Sequence, residues 1–198
     1  MAGAFGSDAA IAAMGIAARV MHMAFAAILG FGQCFQPVCG FNYGAGLYGR
    51  VKEAFWFCVK LGTALLLAAA VAGVFFAPDL VALFSDDAAV VQAGTTALRL
   101  QCISFPLTAW FVMCTMLTQT IGRVVPASFL SLARQGLFFI PFVVGLPYLI
   151  PLVVAGTDPL LGVQMAQPLA DLATAAVSVP VCVRVMRRYL NEIPAKEA

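Results

Sequence analysis

Charged side chains cluster in a few short stretches, and long apolar segments lie between them. The longest uncharged run extends from Val20 to Gly49. Five segments are long and apolar enough to cross a bilayer at about 20 residues per crossing, with a rise of about 1.5 Å per residue. They lie near residues 9–39, 54–77, 95–120, 129–155 and 160–183. The first and fourth exceed a minimal span, which predicts tilt, kinking or extension into the aqueous interface. The pattern defines an all-α, polytopic helical membrane protein, with residues 1–198 as a single transmembrane domain.

The charges between spans set an orientation. Arg50, Lys52 and Lys60 surround the first connection and Arg123 lies near the third, while Arg184, Arg187, Arg188 and Lys196 follow the last span. The second connection carries Asp79, Asp86 and Asp87, and the fourth carries Asp158. Lys and Arg are retained on the cytoplasmic side, so the basic connections and the C-terminus are expected inside a plasma (inner) membrane. That topology puts the N-terminus outside. Met1 to Ala9 has no positive charge and resembles no secretory leader. The expectation is that earlier helices of a larger protein precede this chain, and the alternative is a complete five-span protein.

Composition agrees with the hydropathy pattern. The chain is 63% hydrophobic and 10% charged, with a mean hydropathy of +0.98. The net charge of +2 comes without a basic stripe of interleaved aromatics, so nucleic-acid binding is not expected. Cys34, Cys39, Cys58, Cys102, Cys114 and Cys182 lie in or beside spans and read as reduced packing residues. With no C-x-x-C and His22 as the single histidine, neither a metal site nor a cofactor is expected. G-x-S-x-G, H-E-x-x-H and G-x-x-x-x-G-K-[ST] are all missing from the sequence, which argues against an enzyme.

Helix-disturbing residues are concentrated. Pro37 and a series of glycines fall at the end of the first span, with a chain reversal expected at Asn42 to Gly46. Pro141, Pro147 and Pro151 predict a bend in the fourth span, as a static kink or as a hinge.

Gly32 to Ala45 with the basic turn Arg50 to Glu53, together with Gln119 to Arg123 and Leu130 to Gln135, form a set of motifs around these positions. In them the sequence resembles the C-terminal lobe of MATE (multidrug and toxic compound extrusion) transporters. Ile140–Pro141, Leu146–Pro147 and Gly162 to Asp171 extend the resemblance, so that it runs from about Asp8 to Arg188. The resemblance implies a twelve-helix exporter of two lobes, with this chain supplying the eighth to twelfth helices and the first seven missing. It further implies export of amphipathic, often cationic, compounds in exchange for protons or sodium ions. The third span, Leu100 to Gly122, has no acidic residue, which puts in doubt any sodium site built on a carboxylate there.

Polar groups inside the bilayer are the candidates for transport path or ion coupling. Asp171 lies near mid-span, where a carboxylate costs roughly 2.5–3.5 kcal/mol on insertion scales. Arg19 is at a similar depth, so an Arg19–Asp171 pair is expected, against a proton-linked role for Asp171. His22 follows Arg19 by one helical turn and reads as a proton carrier or a hydrogen-bonded packing group. Arg99, near the outer end of its span, reads as an anchor that reaches water. Gln33, Gln36, Asn42, Gln119 and Gln135 are amides that can line a substrate path or bond between helices. Phe35, Phe41, Phe138, Phe139, Phe142 and the eight methionines suit either a promiscuous apolar cavity or a lipid-facing surface.

The expected function is a cation-coupled multidrug antiporter whose partners are the lipid bilayer, small amphipathic or cationic substrates, and the missing N-terminal helices. The alternatives are a flippase for lipid-linked oligosaccharides and a non-transporting truncated membrane protein.

Overall fold

A computed structural model describes residues 8–153 and 159–190. The helices are α1 (Asp8–Gly44), α2 (Tyr48–Phe75), α3 (Ala77–Ala82), α4 (Ala88–Thr120), α5 (Val124–Leu132), α6 (Phe139–Val153) and α7 (Pro159–Leu190). A π-helical turn, Ala133–Phe138, joins α5 to α6, so the two form one interrupted span. Five spans are long and apolar enough to cross a membrane: α1, α2, α4, the α5–α6 unit and α7. Among the described residues all regular structure is helical.

These elements match the expected spans in number and order, and their ends reach further. The second begins at Tyr48 and takes in Arg50, Lys52 and Glu53. These side chains are too polar for hydrocarbon but are good helix formers, so the helix continues through the interface. The short α3 was not expected. Its first turn contains Pro78, whose missing N–H costs nothing there. Pro37 lies inside α1 without breaking it, and the reversal follows at Ala45 and Gly46. In the fourth span the interruption falls just upstream of Pro141. The ring of Pro141 would clash with the Leu137 carbonyl in a regular α-helix, and the wider π-turn contains that residue. The last helix runs on through Arg184, Arg187 and Arg188 to Leu190, whereas Asp158 and Lys196 lie outside the described residues.

The third span, α4, is the most enclosed, packing against α1, α2 and α7. Lipid tails are as apolar as leucine, so close packing has to hold such helices together. Ala97, Ala109, Ala166 and Ala170 are fully buried and let backbones approach. Around Phe55 the rings interlock edge to face, 6.4 Å from Phe35 and 5.9 Å from Trp110. Leu65, Leu67 and Phe75 on α2, and Ile140, Val144 and Tyr148 on α6, are exposed.

Two basic connections close alike. Leu47 N–H donates to the Asn42 carbonyl and Arg123 N–H to the Thr118 carbonyl, six-residue closures around Gly46 (φ 76°) and Gly122 (φ 78°). Gly46→Ala is expected to lower stability by about 1–2 kcal/mol, because a Cβ disfavours the left-handed conformation. Denaturant unfolding followed by tryptophan fluorescence would test this, and an unchanged midpoint would refute it. The guanidinium of Arg123 stacks 3.9 Å from the Tyr189 ring centroid, placing the third connection and the end of α7 at one basic end of the bundle. At the other end, Asp87 caps α4 by accepting from Ala89 N–H, and Arg99 Nε donates to the Val74 carbonyl in the last turn of α2. Arg99 thus serves as an anchor, holding a helix end whose carbonyls lack intrahelical partners.

Candidate functional site

A polar centre forms where α4, α7 and the π-turn meet. The carboxylate of Asp171, on α7, is buried at 4% exposure. Arg134 Nε donates to its Oδ1 at 2.8 Å and Gln167 Nε2 donates to the same oxygen at 3.1 Å. Ser104 Oγ, on α4, lies 3.2 Å from Asp171 Oδ2 and 3.2 Å from the Gln101 carbonyl, so its single hydrogen is shared between them. Gln167 and Asp171 are four residues apart, on one face of α7.

Arg134 is held from its other sides by aromatic faces. Its guanidinium carbon lies 4.5 Å from the Phe25 ring centroid and 5.0 Å from that of Phe111. Such contacts stabilise a desolvated cation by about 2 kcal/mol or more each. The ion pair and the two rings together offset what a lone charge would cost at this depth.

Beside the pair opens a cavity of about 400 Å³, lined by α1, α4, the π-turn, α6 and α7. Met14, Met21, Phe25, Leu29, Phe105 and Phe139 give it apolar walls, and His22, Gln101, Gln135 and Gln167 add polar groups. His22 Nδ1 lies 2.8 Å from the Ala18 carbonyl, which requires a hydrogen on Nδ1 and leaves Nε2 as the second ring position. The apolar walls with convergent polar groups match the general character of small-molecule sites.

The expected Arg19–Asp171 pair is not formed, because Asp171 pairs with Arg134. Depth alone did not decide the partner. At about 100° per residue, Arg19 is rotated to the edge of the row Met14, Ala18, His22, Phe25 and Leu29 that faces the cavity, and its side chain is exposed. Of the candidates, His22, Gln135 and Asp171 line the cavity. Gln36 and Gln119 come together elsewhere: Gln36 Nε2 donates to Gln119 Oε1 at 3.1 Å and approaches Met116 Sδ at 2.9 Å, joining α1 to α4. Asn42 Nδ2 donates to the Val38 carbonyl one turn back, and Gln33 is exposed on α1. Sequence reasoning missed Arg134, Ser104 and Gln167. The signal for Gln167 was its four-residue spacing from Asp171, and for Arg134 a cation inside an apolar span. Among the described residues no three His, Cys, Asp or Glu side chains cluster to hold a metal ion, and all six cysteines are free.

Bilayer-length helices around a buried ion pair and an amphipathic cavity define a polytopic helical membrane protein. The family model for MatE matches residues 1–144, and the chain belongs to that family. Among curated proteins, none matches the chain. Solved structures share its fold. A multidrug resistance MATE family transporter of the MOP superfamily, in an outward-facing conformation, is 22% identical with a TM-score of 0.82, covering 96% of this chain and 41% of its own. An inward-facing conformation of such a transporter gives 22% identity and a TM-score of 0.81, over 94% of this chain and 41% of its own. The MATE transporter ClbM in complex with Rb+ gives 23% identity and 0.77, over 92% of this chain and 42% of its own. The chain therefore spans about two fifths of the length of these relatives.

Proposed function

We propose that this chain is the larger part of the C-terminal lobe of a cation-coupled antiporter in the plasma membrane, exporting amphipathic organic compounds together with a preceding set of helices. The observation that carries this reading is the Arg134–Asp171 pair, an ionised centre at mid-depth of bilayer-length helices, open to an amphipathic cavity. Intramembrane charges are costly and are retained at ion and substrate pathways. Support for a lobe that rocks as one body comes from the near-equal fit of the same helices to outward-facing and inward-facing relatives, with TM-scores of 0.82 and 0.81. In this reading Asp171 is the site where a coupling proton or sodium ion competes with Arg134, and freeing Arg134 reshapes the cavity wall that it forms.

The test is efflux from proteoliposomes holding the full-length transporter, with a panel of fluorescent cationic and zwitterionic amphipaths under imposed pH or sodium gradients. Gradient-driven efflux is expected, and Asp171→Asn is expected to slow it about tenfold or more, equivalent to about 1.4 kcal/mol. Gradient-independent leakage alone, or an Asp171→Asn protein that transports normally, would refute the proposal.

A further inference from the structure

We infer that the cavity beside the ion pair is a subsite for the carboxylate of an amphipathic anion or zwitterion, with Arg134 as the residue that receives it. This rests on the reading of the cavity as part of the transport path. Arg134 has five N–H donors, and among the described residues only Nε is used, on Asp171. Among the described residues its two terminal Nη groups make no hydrogen bond, although the side chain is only 14% exposed and lines the cavity. Donors that are neither bonded within the bundle nor sealed away from the cavity are open to an acceptor that a ligand brings. The Nη edge of a guanidinium is a planar fork that matches the two oxygens of a carboxylate.

The rest of the lining points the same way. Among the described residues Asp171 is the single acidic one in the cavity wall, and its oxygens already face Arg134, Gln167 and Ser104. An incoming cation would have to displace Arg134 from a bonded and ring-stacked position, whereas an incoming carboxylate needs nothing displaced. The amides of Gln135 and Gln101 offer further donors at the wall. The apolar body of the ligand would lie against Met14, Met21, Leu29, Phe139 and Val143.

The inference is tested with matched probes, 1-pyrenebutyrate and 1-pyrenebutylamine, titrated against this chain in nanodiscs of zwitterionic phosphatidylcholine. Binding is read as energy transfer from tryptophan to pyrene. The carboxylate is expected to bind about tenfold more tightly than the amine. In the double variant Arg134→Gln, Asp171→Asn, which removes both charges and strands neither, the preference is expected to vanish. Arg134→Lys keeps the ion pair and loses the fork, so most of the preference should go with it. Equal binding of both probes to the unmodified chain, or an undiminished preference in either variant, would overturn the inference. Binding is read on this chain and efflux on the full-length transporter, so a lost preference with intact efflux refutes the subsite alone.

Discussion

Arg134→Gln is expected to destabilise the bundle by about 3–5 kcal/mol, the usual cost of removing one partner from a buried ion pair. The reason lies in the partner left behind. Asp171 is 4% exposed and would keep only Gln167 and Ser104 as donors. Phe25 and Phe111 would lose the cation that they flank. Adding Asp171→Asn should recover most of the loss, because the amide oxygen still accepts from Ser104 or Gln167 and no charge remains unpaired. Thermal or denaturant unfolding of the two single variants and the double variant gives the coupling directly. Simple additivity of the two single effects would show that the pair contributes nothing of its own.

Gly162→Val is the second large effect, and it arises from backbone approach. A Cβ at position 162 would lie 2.7 Å from both Cα and N of Pro147 and 2.8 Å from the Leu146 carbonyl carbon. Backbone cannot rotate away as a side-chain tip can, so α6 and α7 must separate, at about 1–3 kcal/mol for overpacking. Those helices form one wall of the cavity and carry Asp171, so probe binding should weaken along with stability. Gly145→Ala is the control, since its nearest neighbour would be Leu149 Cδ1 at an ordinary 3.9 Å. Equal unfolding midpoints for Gly162→Val and the control would mean that the helices have room to spare.

The spans were legible because an uncharged stretch of bilayer length has few soluble uses, and the sequence pattern put all of them in the right order. The helix ends were less legible, since hydropathy marks where hydrocarbon stops and a helix does not stop there. That difference also hid the partner of Asp171. With the fourth span started at residue 129, Arg134 fell near its end and was not weighed as a partner for Asp171. The helix begins at Val124, which places Arg134 roughly 15 Å along it. Arg19 lies at a suitable depth but at the wrong azimuth, and azimuth depends on how helices pack, which one amphipathic stripe in a nearly all-apolar sequence does not specify. The amides divided for the same reason. Gln135 faces the cavity, whereas Gln36 and Gln119 found each other between α1 and α4.

The π-turn at Ala133–Phe138 has a geometric consequence for everything downstream of it. One widened turn holds an extra residue without lengthening the rod, so the azimuthal phase of the following helix is offset by about 100° from that of an unbroken α-helix. Phe139 and Val143 owe their place on the cavity wall to that offset. A helical wheel drawn continuously through the fourth span would point them elsewhere, and an ungapped alignment across residue 136 would equate inward positions with outward ones.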